Sequence, residues 1–422
     1  MNLSERALLT AVESLPGAPR VVASGNFATP TTLLSLVDKA LGTYRLYILN
    51  AQPGIPTRDG VLHETSFVGP GMRDSDSLRY VPSRLSLLPQ LFRSSLPPDA
   101  AVIHTSLPRN GTVSLGTEVN VLPAAIEEVR RRGGLVLAQM NAQMPYTFGD
   151  AVLPLDMIDH AIEVDEPLSS PRQVDVDDAA RVIGRRIAER VPDGAVLQTG
   201  IGAVPDATLI ELTGHRGLSI WTEMFSDGVL TLDRAGALDP AAHVTASFVF
   251  GSSELYSWVH RNERVRLLRT EKTNDPALIK LNNQMVSVNS ALQVDLFGQA
   301  NASRIGRRIY SGIGGQSDFV VGAMHAPGGQ ALIALRSWHP RADCSTIVPL
   351  VDEPVTSFQM TAVVTEQGTA EIFGRDQRTQ AHNLITYAAH PGAREELWEE
   401  AEALDLVERW AESCFGPPRT GP

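Results

Sequence analysis

Short apolar runs alternate with stretches of helical period along most of the chain. Arg20 to Ser24 is an apolar run closed by Gly25, and apolar residues at helical spacing follow from Thr29 to Leu41, which predicts strand, loop and helix. The same grammar returns later: Gly194 to Thr199 reads as a strand, Gly200 opens a loop, and Asp206 to Leu212 is helical in period. Set side by side, Val21-Val-Ala-Ser-Gly-Asn-Phe-Ala-Thr-Pro30 and Val196-Leu-Gln-Thr-Gly-Ile-Gly-Ala-Val-Pro205 share a strand-ending glycine and a proline at the same offset. An internal duplication of an α/β unit accounts for both. Between them, Ala100 to Thr105 and Gly134 to Met140 read as buried strands flanking an amphipathic helix, Val119 to Arg132. Strand, helix, strand in that order implies parallel pairing. Val286 to Gln299 reads as one strand whose alternation puts Gln293 and Asp295 on one face. Gly392 to Glu412 is an acidic helix, and Gly416 to Pro422 a frayed tail.

At 422 residues the chain exceeds one ordinary core. The proline, serine and acidic run Pro167 to Val176 is the candidate linker, followed by a helix from Asp177 to Val191. The expected organisation is therefore two related open α/β domains, residues 1–176 and 177–422, with a ligand in the cleft between their strand ends.

Charge narrows the partners. A net charge of −12 repels phosphate backbones, which argues against nucleic acid and anionic membranes. Only Lys39, Lys272 and Lys280 are lysines, so nearly every cation is an arginine. The start of the chain, Met1 to Leu9, carries Glu5 inside a helical period and does not read as a signal peptide. No apolar run approaches the roughly 20 residues that span a bilayer. Cys344 and Cys414 stand in no paired spacing and the ten histidines are scattered, so a cytoplasmic chain without disulfide or metal is expected.

Three glycine-rich segments of the second half are candidates for backbone N–H donors: Thr199 to Asp206 with Gly200 and Gly202, Ser311 to Phe319 with Gly312, Gly314 and Gly315, and Thr365 to Glu371 with Gly368. Taken singly, each is also an ordinary tight turn. Ser290-Ala-Leu-Gln-Val-Asp-Leu-Phe-Gly-Gln299, Gly312-Ile-Gly-Gly-Gln-Ser-Asp-Phe319 and Val363-Val-Thr-Glu-Gln-Gly-Thr-Ala370 together resemble the acetyl-CoA hydrolase and CoA-transferase family, which includes 4-hydroxybutyrate and succinyl-CoA:acetate CoA-transferases. Supporting pieces stand in family order, among them Ser114-Leu-Gly116, Met140 to Pro145, Thr222-Glu-Met-Phe-Ser-Asp-Gly228 and Ala389-His-Pro391. The resemblance runs from about Gly25 to about Leu397.

That resemblance implies two α/β domains, a homodimer, and ping-pong transfer of coenzyme A from a short or medium acyl-CoA to a small acceptor. It implies a nucleophilic glutamate in the S-A-x-E-V-D stretch, an oxyanion held at Gly368, and the coenzyme A chain lying against Gly314, Gly315, Gln316 and Asp318. At the nucleophile's expected position stands Gln293, and a carboxamide has no anionic oxygen with which to attack. The chain is therefore expected to work without a glutamyl-CoA intermediate, to bind acyl-CoA without turnover, or to be a Glu-to-Gln variant arrested at the thioester. Glu366 is the preferred alternative acid. Glu223 and Glu254 are expected to cap or form salt bridges, and Asp295 to accept structural hydrogen bonds. Met144, Met224 and Phe319 are candidates for an acyl pocket or for core packing; His260 and His390 read as structural, and Arg261, Arg307 and Arg308 as candidates for phosphate contact or a solvated face.

Overall fold

A computed structural model describes residues 4–170 and 176–407. The linker lies partly outside these residues. The acidic helix expected over Gly392 to Glu412 is helical from Arg394 to Ala403; residues 408–412 of that stretch, Cys414 and the C-terminal tail lie outside the described residues.

The first half winds around a seven-stranded parallel sheet: β1 (Arg20–Ala23), β2 (Tyr44–Tyr47), β3 (Val61–Thr65), β4 (Arg79–Tyr80), β5 (Ala100–Ser106), β6 (Leu135–Asn141) and β7 (His160–Val164). Their order is β7-β6-β5-β1-β2-β3-β4. All four residues of β1 and all seven of β5 are buried, as expected for parallel strands covered on both faces. Helices α1 (Glu5–Glu13), α2 (Thr31–Ala40) and α3 (Leu122–Arg132) belong to this half. Gly133, at φ +73°, ends α3 in the left-handed turn that glycine adopts without a Cβ penalty.

The second half repeats the winding. Its strands are β8 (Val196–Thr199), β9 (Ser219–Trp221), β10 (Val244–Ala246), β11 (Val265–Leu267), β12 (Met285–Asn289), β13 (Gln293–Asp295), β14 (Gln330–Ala334), β15 (Ala362–Val364) and β16 (Thr369–Glu371). Helices α4 (Asp178–Ala188), α5 (Ala203–Glu211), α6 (Gln316–His325) and α7 (Arg394–Ala403) flank them. The main sheet runs β16-β15-β14-β12-β8-β9-β10-β11 and ends on the two-residue strand Phe148–Gly149, contributed by the first half. In each sheet the first strand is central, the next strands add to one side, and the chain then crosses to the other. The matched segments at Val21 and Val196 thus begin equivalent β–loop–α units.

One buried cluster runs from Ile103, Val113 and Ile126 through Leu197, Ile220 and Val265, so the halves share a core. The strand predicted over Val286 to Gln299 is broken in two. β12 stays in the main sheet to Asn289, and the chain then turns away so that β13 joins a small sheet with Ala300–Asn301 and Ile347–Val348.

Arg20 and Glu64 form a two-point ion pair inside the first half, at 2.6 and 3.2 Å, with each residue only 6% exposed. Removing one partner strands a buried charge. Arg20→Met is expected to cost about 3–5 kcal/mol in urea unfolding. A loss below about 1 kcal/mol would mean that water reaches Glu64 once the arginine is gone.

Candidate active site

The carboxyl end of β9 carries Thr222 and Glu223. Thr222 Oγ1 donates to the carbonyls of Thr199, at 3.1 Å, and Met224, at 2.9 Å. The Glu223 carbonyl accepts from the N–H groups of Ser247 and Phe248. The backbone is thereby held on both sides, and the Glu223 side chain projects from a fixed base.

Glu223 is partly exposed, yet its carboxyl group is closely surrounded. Asn274 Nδ2 donates to Oε2 at 3.1 Å. Asn274 is itself fixed by Thr273 Oγ1 at 2.8 Å, and Thr273 Oγ1 lies 2.6 Å from Ser247 Oγ. Gly315 closes the other side: a Cβ there would fall 2.1 Å from Glu223 Oε2 and 2.2 Å from Asn274 Nδ2. Among the described residues no cation pairs with Glu223. Burial pushes its pKa up to about 7, opposed by the Asn274 hydrogen bond and reinforced by the charge of Asp318.

The first half supplies the facing wall. After β1 the chain turns sharply at Gly25, where a Cβ would lie 2.2 Å from the Leu49 carbonyl, and Asn26 takes φ +45°. Asn26 Nδ2 reaches both oxygens of Glu118, at 3.0 and 2.8 Å, and Asn50 Nδ2 donates to Asn26 Oδ1 at 2.9 Å. Phe27 stacks on Phe250 with centroids 3.3 Å apart. With Met224 and Phe248, these rings form an apolar patch spanning the two halves. Asn26 and Phe27 also border a cavity of about 120 Å³ over the ends of β1, β5 and β6, lined by Gln52, His104, Asn141 and Glu166. Burial lowers His104 to about 4, so the imidazole there is neutral.

The Ser311 to Phe319 segment is docked across the halves. Val68 N–H donates to the Ser311 carbonyl and Leu85 N–H to that of Gly314. A Cβ on Gly312 would fall 2.6 Å from the Ser66 carbonyl. Gly314 has φ +62°, and Gly315 abuts Glu223. Gln316 Nε2 donates to the Ser290 carbonyl at 3.3 Å. Asp318 is fully buried and accepts from Ser86 N–H and Oγ at 3.2 and 2.9 Å, with Arg84 3.9 Å away. It clasps the two halves, and burial raises it to about 6. Gly200 and Gly202 lie in the loop between β8 and α5, beside β9, with open space where a Cβ would point.

The other predicted residues fall elsewhere. Gln293, on β13, is partly exposed and its side chain has no protein partner among the described residues. Glu366 and Gly368 form the hairpin between β15 and β16, four strand spacings from β9, or roughly 19 Å. The Glu366 carboxylate accepts from Ser337 N–H and Oγ, and Gly368 packs against the Tyr387 carbonyl. Asp295 accepts from the N–H groups of Phe297, Gln299 and Val351, in the structural role expected of it. Glu254 pairs with Arg234 at 2.6 Å, His390 caps the turn at Pro391, and Arg308 pairs with Asp74. His260 accepts from Tyr146 N–H. Met144 and Phe319 are core residues, whereas Met224 joins the apolar patch.

Glu118, Asn26, Asn274, Phe27 and Phe250 escaped the sequence reading. The signal for Glu223 was present: an acid two residues after the strand-like run Leu218 to Trp221, where open α/β sheets place ligands.

This architecture is that of a two-domain α/β protein with the candidate site between its halves. Residues 21–170 match the acetyl-CoA hydrolase/transferase N-terminal domain and residues 251–401 the C-terminal domain of the same family. The 4-hydroxybutyrate coenzyme A transferase of Clostridium kluyveri is 35% identical, over 92% of this chain and 95% of its own length. A succinyl-CoA:acetate/propanoyl-CoA:succinate CoA transferase of Fasciola hepatica is 36% identical, over 93% of this chain and 86% of its own. Among solved structures, a 4-hydroxybutyrate CoA-transferase of Porphyromonas gingivalis superposes with a TM-score of 0.80 at 31% identity, covering 95% of this chain and 97% of that one. The chain belongs to the acetyl-CoA hydrolase/transferase family and is an enzyme of that family. Among the described residues no helix is long and apolar enough to cross a membrane.

Proposed function

We propose that this protein moves coenzyme A from a short acyl-CoA to a small carboxylate acceptor, and that its nucleophile is Glu223 rather than a side chain at position 293. The observation carrying this reading is a partly exposed carboxylate with no paired cation, fixed at a strand's carboxyl end between Asn274 and Gly315. It supplies the anionic oxygen that Gln293 lacks.

Glu223 attacks the acyl carbonyl carbon, and collapse of the adduct breaks the C–S bond. The products are coenzyme A thiolate and an acyl-glutamyl anhydride. Thiolate then adds to the glutamyl carbonyl, expelling the acyl group as its carboxylate and leaving a glutamyl-CoA thioester. An acceptor carboxylate reverses the steps and restores Glu223, with no net proton consumed. Backbone N–H groups around Gly200 and Gly202, in the loop that follows the strand next to β9, are the proposed oxyanion and coenzyme A contacts. In this reading Gly368 and Glu366 are structural and Asp318 holds the halves together. Coenzyme A is the carried group, no metal takes part, and the homodimer and cytoplasmic location implied by the resemblance remain part of the proposal.

The test is the pH dependence of exchange between acetyl-CoA and labelled propionate. Glu223 must be ionised to attack, so activity is present above about pH 7 and falls tenfold per unit below it. A rate unchanged down to pH 5 would contradict the assignment. Acyl size gives a second prediction. Phe27→Ala shortens the apolar wall and is expected to raise kcat/KM for hexanoyl-CoA relative to acetyl-CoA by about tenfold.

A further inference from the structure

The carboxyl group of Glu118 lies beneath the nucleophile, and its surroundings suit an acid rather than an anion. Glu118 is 2% exposed, with Asn26 at 4% and Asn120 at 1%. Among the described residues, only amide groups bond to its carboxyl oxygens. Asn120 shows what is missing: its amide stands against the Glu118 carboxyl, and its Oδ1 is buried with no hydrogen-bond donor. A buried carbonyl oxygen left without a donor is costly, and an O–H on Glu118 is the donor it lacks.

Charges on the neighbouring elements do not supply an alternative. From β9, Glu223 presents a like charge. From α6, Asp318 acts on Glu223 and is answered by Ser86 and Arg84. The cation on the segment that bonds Asn120, Arg269, commits its guanidinium to Glu127 and Glu271. Asn26 and Asn50, from the ends of β1 and β2, are neutral.

We infer that Glu118 is a positioning residue, held as a neutral carboxylic acid that donates to Asn120 Oδ1, so that Glu223 carries the negative charge of the pair alone. This rests on the reading of Glu223 as the nucleophile. Burial, with the Glu223 charge adding to it and the Asn26 and Asn120 amides opposing it, raises Glu118 to about 8. Between about pH 7 and about pH 8 Glu223 is then ionised while Glu118 keeps its proton, and the pair carries one negative charge. Loss of that proton puts a second charge under a site that must build up an oxyanion, so turnover declines on the alkaline side.

Four variants and a pair of infrared spectra test the inference. Glu118→Ala is expected to lower kcat about 100-fold, and Glu118→Gln, which keeps the shape and cannot ionise, to recover it to within about threefold of wild type. Glu118→Gln should also lose the wild-type decline above about pH 8 while keeping the acid limb. Independently of turnover, infrared spectra of chain labelled with ¹³C-glutamate in a Glu223→Gln background should show a protonated carboxyl band at neutral pH. That band should vanish in the Glu118→Gln, Glu223→Gln double variant. Absence of the band, or an alkaline limb that persists in Glu118→Gln, would overturn the inference. If the band is present but Glu223→Gln retains exchange activity, the nucleophile assignment fails while Glu118 still stands as the protonated group.

Discussion

Glu223→Gln is expected to lower coenzyme A exchange by about 10⁴-fold or more, with acyl-CoA still bound, because the amide keeps the shape of the carboxylate and loses the attacking oxygen. Gln293→Glu, in contrast, should change exchange by less than about threefold. The two substitutions are near-isosteric and opposite in charge, so steady-state exchange rates on both separate the two positions. Gln293 sits on a small sheet with no partner for its side chain among the described residues, whereas Glu223 is held at its backbone by Ser247 and Phe248 and at its carboxyl by Asn274.

Gly315→Ala should produce the second largest loss. Its Cβ would intrude on Glu223 Oε2 and on Asn274 Nδ2 at once, and neither can retreat easily, since Asn274 is anchored through Thr273. A nucleophile displaced by an ångström loses about 100-fold in rate. Because the clash is with two side chains and not with backbone, the thermal midpoint should move by only a few degrees. Parallel measurement of kcat and melting temperature distinguishes this from general unfolding. A variant with full activity would show that the carboxyl group works from another position.

The α/β architecture and the repeat of its opening unit were legible because both depend on local signals. Gly25 and Gly200 follow strands directly or within a residue, Pro30 takes the N-cap position of the following helix and Pro205 stands in the first turn of its counterpart, and β1 and β5 are buried over their whole length. The break between β12 and β13 was not legible. Alternation continues through Gln293 and Asp295, and nothing in the pattern shows that the chain leaves the main sheet at Ser290. Gln293 drew attention through the S-A-x-E-V-D resemblance, and the structure places it on that small sheet.

The long-range contacts, within the first half and between the halves, were illegible for a different reason. Asp318 finds Ser86 across 232 positions of sequence, and Asn26 finds Glu118 across 92. Such partners are chosen by how the two sheets pack, which no local window contains. Glu223 was visible as an acid at a strand end, and its lack of a cation became apparent only once Asn274 and Gly315 were seen around it. Glu254 met the same expectation of pairing and fulfilled it with Arg234.

The most direct test of the account is to incubate the wild-type chain with acetyl-CoA alone, quench in acid and map the peptides by mass spectrometry. Coenzyme A joined as a thioester to the peptide carrying Glu223, and absent from Glu223→Gln, is the predicted result. Coenzyme A on the peptide carrying Glu366 or any other acid, or acyl transfer with no covalent species at all, would contradict it.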